Sequence, residues 1–207
     1  MSTSVASGGN LWDFFSFDLT APQPDLDGDL IKQLGFIPGL QDILMLRQVH
    51  ALEHATVWVL SEPMNMGNQL DNQLLGGLST AEGFYLYGDV NISDLRRAVT
   101  LALHRLTSGE WNLAIHPRCG TNVSVGVALT AGLAVGMHLL LPRGPIEQLI
   151  GLGVAATTAT EISPDIGSVV QRYLTTAIPF NLAIANIVPT QDPEGKDAYF
   201  IRVNWRE

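Results

Sequence analysis

The sequence predicts an α+β fold, mainly helical, with an apolar helical hairpin and short β-hairpins. Three observations predict it. Residues 40–61 form a helix-length run closed by Ser61-Glu62-Pro63, residues 122–141 contain no Asp, Glu, Lys or Arg, and two further stretches alternate bulky and small residues around turn signals. With 207 residues, 46% hydrophobic and 15% charged, the chain can bury a core as one domain, or as one domain carrying a membrane segment.

Charge narrows the partners. The net charge is -9 and no Lys/Arg run or basic-aromatic stripe occurs, which argues against a phosphate-binding surface and against nucleic acid as a partner. A single cysteine, Cys119, excludes an internal disulfide framework. The first ten residues, MSTSVASGGN, lack a basic segment followed by an apolar one, so they read as a disordered tail and not as a cleaved signal.

In chain order, LWDFFSFDL (11–19) reads as an aromatic strap on a domain or membrane surface, followed by the turn-rich TAPQPDLDGD. Residues 1–39 are thus a tail and strap, and 40–207 a single metal-site domain. Residues 74–90, LLGGLSTAEGFYLYGDV, read as a β-hairpin. Within them Gly77-Leu78-Ser79-Thr80-Ala81 superficially resembles a serine-hydrolase elbow but lacks its second glycine. Ser93-Asp94 starts a helix ending near Ser108-Gly109, on which Arg97, Thr100 and His104 share a solvated face.

The run NVSVGVALTAGLAVGMHLLL (122–141) is long enough to cross a hydrocarbon core, and its small residues permit close helix packing. A buried core helix is the competing reading. After the turn PRGP a second helix runs back over about 146–161, where only thirteen uncharged residues separate Glu147 from Glu161, short for a full span. If both helices cross, Arg143 alone of the 11 Lys and Arg lies in the loop, which makes the protein integral with both termini cytoplasmic. SPDIGSVVQRYLTT (163–176) reads as a further helix. NLAIANIV and AYFIRVNW then flank the turn DPEGKD as a closing hairpin, with Tyr199, Ile201, Val203 and Trp205 on one face.

The chemistry concentrates in RQVHALEHATVWVL (47–60). His50 and His54 stand one helical turn apart on one face, and Glu53, next to His54, is three residues from His50, so all three can meet in one pocket. His-x-x-Glu-His is the order of the inverted zinc peptidases, in which two imidazoles bind zinc and the carboxylate handles the proton of a water. A catalytic site needs a third protein ligand and an open fourth position. His116 in the loop IHPRCGTN is the expected third ligand, with Cys119 and Glu161 as alternatives and Glu110 a weaker one. Recruiting both His116 and Cys119 would close the site and make it structural.

The motifs HALEH (50–54), HPRCGTN (116–122) and QRYLTT (171–176) together resemble a bacterial group of uncharacterised integral membrane proteins described as predicted metal-dependent enzymes, especially its short cyanobacterial relatives. The resemblance covers about residues 45–177. It implies membrane residence and a metal site built from His50, His54 and the His116 loop, with Glu53 as acid/base. Ala55 stands where the broader family usually has lysine, and fewer membrane segments are visible here.

The expected function is a membrane-associated, zinc-dependent hydrolase such as a peptidase, with Glu53 as base and Arg118 as stabiliser of the developing oxyanion. Its partners are membrane lipid and a protein or peptide. The alternative is a non-enzymatic membrane assembly or scaffold protein with a structural metal site. A soluble α+β domain with the apolar helices in its core is a third reading.

Overall fold

Helix α2 (Leu40–Ser61) is the axle of the structure, because from Ala51 to Val57 every residue on it is buried. A helix buried all round needs neighbours on every side, and α2 has them. The computed structural model describes residues 22–62 and 74–206. The aromatic strap at 11–19 and the polar tail before it lie outside the described residues.

Before α2 comes α1 (Leu26–Leu34), in a stretch whose Pro, Asp and Gly content reads as turns; this segment departs from the sequence reading. Asp27 and Asp29 in its first turn and Lys32 in its last complement the helix dipole. Asp27 is moreover buried and accepts a hydrogen bond from Gln48 Nε2 on α2 at 2.6 Å. That tertiary contact has no local sequence signature.

The hairpin read from 74–90 is β1 (Gly76–Thr80) and β2 (Gly83–Tyr87), paired antiparallel. Helix α3 (Ile92–Thr107) follows, capped by Asn91, whose side chain accepts from Ser93 N, two residues before the Ser93 start read from the sequence. His104 is exposed on it, as its face predicts. At the far end Arg105 donates to both Glu62, just past α2, and Glu110, tying the ends of the two helices together. A 3-10 turn, Trp111–Ala114, leads to the loop at His116.

The apolar run forms α4 (Gly120–Leu140), and α5 (Pro145–Val170) packs back along it. Here the structure corrects the reading of two helices after the turn. Ser163-Pro164 does not stop α5, which continues to Val170 and closes in a π-turn, Gln171–Thr175. Thr176 satisfies that turn by donating to Gln171 O from both its backbone N (2.9 Å) and its hydroxyl (2.7 Å). Proline costs one helical hydrogen bond but leaves the other helical contacts to carry the chain through.

The closing hairpin, β3 (Leu182–Gln191) and β4 (Asp197–Trp205), joins the first to give one antiparallel sheet in the order β1-β2-β4-β3. Phe84, Leu86, Ile201 and Val203 face α2 and α3 from this sheet and fill the core with Val49, Leu52, Leu95, Val99 and Leu106. The fold is therefore α+β and mainly helical. No residue of α4 or α5 belongs to that core cluster.

Candidate metal centre

Helix geometry delivers the first two groups. His50 and His54 project from one face of α2 with ring centroids 4.3 Å apart. Each is oriented from behind. His50 Nδ1 donates to Thr175 O at 3.0 Å, and His54 Nδ1 donates to Ala114 O at 2.7 Å. A carbonyl can only accept, so each Nδ1 carries the proton and each Nε2 keeps its lone pair. This is how metal-binding imidazoles are usually fixed, by a carbonyl on the far nitrogen.

The third group comes from the start of α4. Cys119 is its N-cap; the sulfur accepts from Thr121 N at 3.4 Å and lies 3.2 Å from His50 Nε2. One donor atom from each of His50, His54 and Cys119 lies within 4.8 Å of the others, a cluster that could hold a metal ion. Bond lengths of about 2.0–2.3 Å to nitrogen and sulfur place neighbouring tetrahedral donors about 3.5 Å apart, so the three need only small adjustments. Burial by itself would raise the Cys119 thiol, but its neighbours His54 and Thr121 hold it below its ordinary value. A thiol so placed is a ready ligand.

His116, the third ligand expected from the sequence, lines the same cavity but faces it differently. Its Nδ1 accepts from Arg118 N at 3.3 Å, which in the neutral ring puts the proton on Nε2 and leaves no lone pair there for a metal. Its ring packs on Trp58 at 4.9 Å and lies 5.6 Å from His54. His116 thus lines the cavity beside the cluster, and Cys119, an alternative from the sequence, stands with His50 and His54 in the group that could hold a metal ion. Glu161 is not brought to it: the carboxylate is exposed on α5 and does not line the cavity.

Glu53 is buried beside the cluster. Ser79 Oγ donates to its Oε2, while Oε1 lies against Gly77, where a Cβ would come within 2.2 Å of it. Glycine at 77 lets the β1 backbone close over the carboxylate. Burial pushes the Glu53 carboxyl above its usual range, against the lowering effects of the Ser79 hydrogen bond and the nearby His50. Arg118, exposed, donates from Nη2 to Leu75 O at 3.1 Å and borders the same cavity of about 610 Å3.

Three supporting residues were given no role by the sequence, although Gln171 and Thr175 lie in the QRYLTT motif. Gln171, fully buried, accepts from His116 N (2.9 Å) through Oε1 and donates to Asn122 Oδ1 (2.7 Å), joining the ligand loop, α4 and the end of α5. Ser79, set aside with the failed elbow pattern, is the partner of Glu53. Thr175 holds His50 through a backbone oxygen, which no side-chain pattern encodes, and its hydroxyl lies 3.2 Å from that of Thr121. Within QRYLTT only Gln171 and Thr176 are buried, and Leu174 and Thr175 line the cavity.

The site and fold define a mixed helical and antiparallel-sheet protein with a His/His/Cys cluster at the foot of an apolar hairpin. Residues 45–187 match the family described as Domain of unknown function (DUF6391), and the chain belongs to that family. It is 51% identical over 199 residues to an uncharacterised protein of the cyanobacterium Picosynechococcus sp., covering 94% of this chain and 96% of that one. No solved structure matches the chain. Neither name carries an activity, so the chemistry rests on the geometry.

Proposed function

We propose that the protein is a membrane-associated, zinc-dependent acyl hydrolase, acting on an ester, amide or peptide bond, with His50, His54 and Cys119 as metal ligands. The observation that supports this best is the pair of Nδ1-protonated imidazoles whose Nε2 atoms converge on Cys119 while Glu53 stays outside the ligand set. Two imidazoles and a thiolate suit zinc, and three protein ligands leave the fourth position that catalysis needs. A bound zinc would hold a water, lower its pKa to about 7 and polarise a substrate carbonyl.

The chain's own groups do the rest. Glu53 would take the proton of a zinc-held water and return it to the leaving group, a role suited to a carboxyl raised above its usual range. The Ser79 hydroxyl fixes the other oxygen, so the carboxylate does not swing in as a ligand. Arg118, which lines the cavity, would stabilise the oxyanion.

Membrane residence is supported by α4, 21 residues with a mean hydropathy of 1.9 in its most apolar window, none of them buried. Integral insertion through the α4–α5 hairpin, with Arg143 in the loop and both termini cytoplasmic, follows the distribution of basic residues.

A second reading keeps the metal as a structural pin, since the cluster joins α2 to the cap of α4. Glu53→Gln separates the two. In a hydrolase it leaves metal content and fold intact and cuts function by roughly 10²–10⁴-fold, as loss of a general base does. With a structural metal it is nearly silent. Complementation of a deletion strain beside His50→Ala reads this out: full rescue by Glu53→Gln with none by His50→Ala rejects the hydrolase.

A further inference from the structure

We propose that the cavity takes the acyl chain of a lipid-borne ester or amide, entering from the bilayer along an apolar rim. The proposal rests on the hydrolase reading and names its substrate class. It starts from one stripe of α2. Ile43, Leu46, His50, Glu53 and His54 recur at three- and four-residue steps on one face and all line the cavity. Chemistry changes along the stripe. The inner end is ionisable and buried at Glu53 and His54, whereas Ile43 and Leu46 at the outer end are 59% and 39% exposed.

The opposite side of the mouth repeats the pattern. Leu78 on β1 and Leu174 in the π-turn also line the cavity and are 48% and 67% exposed. Four large aliphatic side chains therefore stand around the entrance to a polar site. A water-soluble polar substrate gains nothing from such a rim, but an alkyl chain does. The space is ample, since about 610 Å3 falls within the roughly 300–1,000 Å3 of small-molecule pockets.

Position supplies the source of the chain. Cys119 caps the first turn of α4 and Leu174 follows the last turn of α5, so the mouth opens at the foot of the apolar hairpin. With the hairpin in a bilayer, the rim meets the boundary between headgroups and acyl chains. A lipid acyl carbonyl lies at that depth and can reach the cluster with its chain still covered. Hydrolysis there adds the water oxygen to the acyl carbon and breaks its C–O or C–N bond. Glu53 passes the proton to the departing alcohol or amine, releasing a fatty acid.

Alkyl hydroxamates of increasing chain length, titrated against the full-length cobalt(II)-loaded protein in mild detergent, test this through the visible spectrum of the metal without requiring turnover. Binding should tighten about fourfold per added methylene, as burial of each predicts, until the chain outruns the rim. Leu46→Asn and Leu174→Asn, on separate elements, should each lose much of that gain while binding acetohydroxamate as the wild type does. Micelle partitioning acts equally on all three proteins, and affinities are referred to the free hydroxamate concentration measured at each chain length. Chain-length-independent binding, or a gain that both variants retain, overturns the inference and leaves the metal site standing. A protein that takes up no cobalt overturns the metal reading and this inference with it.

Discussion

Glu53 occupies the space where a side chain at position 77 would be. A methyl there would sit 2.2 Å from Glu53 Oε1, so Gly77→Ala must displace either the carboxylate or the β1 backbone. The expected cost is about 1–3 kcal/mol of stability, as for other overpacked sites. Thermal unfolding measures it, and an unchanged midpoint would show that Glu53 does not lie against β1. The ligand assignment is tested one residue at a time. His50→Ala, His54→Ala and Cys119→Ala should each lower bound zinc well below the wild-type content, whereas His116→Ala, which removes no donor atom of the cluster, should retain most of it. Elemental analysis decides; zinc lost with His50→Ala, His54→Ala and His116→Ala but kept with Cys119→Ala would restore the ligand set first expected from the sequence. At this scale the sequence was informative about α2, because i, i+3, i+4 spacing on a helix fixes a common face. It could not rank His116 against Cys119. They are three residues apart in a loop, and the choice depends on a backbone N–H at Arg118 and a helix cap, both products of the fold.

Close packing of α5 on α4 depends on small residues. Gly151, Ala155, Ala159 and Gly167 are the buried residues of α5, and the first three recur every fourth position to make one narrow stripe against α4. A Cβ at 151 would meet Leu141 Cδ1 at 2.6 Å and Met137 Cβ at 3.3 Å. Gly151→Leu should therefore push the hairpin apart, again costing about 1–3 kcal/mol, with the loss read by thermal unfolding in detergent. Metal content should survive, because the cluster lies at the opposite end of α4 from Leu141. Loss of metal in that variant would mean that the hairpin positions Cys119 over its whole length. The elements themselves were largely legible: α2, α3, both β-hairpins and α4 follow from periodicity, caps and turn residues. What stayed hidden were the events that need tertiary contacts. Asp27 stabilises α1 by meeting Gln48, α5 carries through Pro164, and the two hairpins find each other through β2 and β4.

Among the described residues the large apolar side chains gather in a core around α2 and on the exposed α4–α5 hairpin. The cluster around α2, α3 and the sheet contains nothing from the hairpin, and none of the residues of α4 is buried. Val123, Val127, Val135, Leu139 and Leu140 on α4, with Ile146, Leu149 and Ile150 on α5, all stand exposed. Hydrophobic surface on this scale is uncommon facing water and ordinary facing lipid. The two environments set opposite prices on a charge. Val127→Lys or Val135→Lys is close to neutral on a water-facing helix, but lysine near the middle of an inserted helix costs about 2.5–3.5 kcal/mol. Wild-type protein should therefore resist carbonate extraction from membranes of expressing cells, and the doubly substituted chain should be released in large part. Release of the wild type, with no further change on adding both lysines, would exclude the bilayer as the cover for this surface and remove the route proposed for an acyl chain, while the cluster of His50, His54 and Cys119 would stand unaffected.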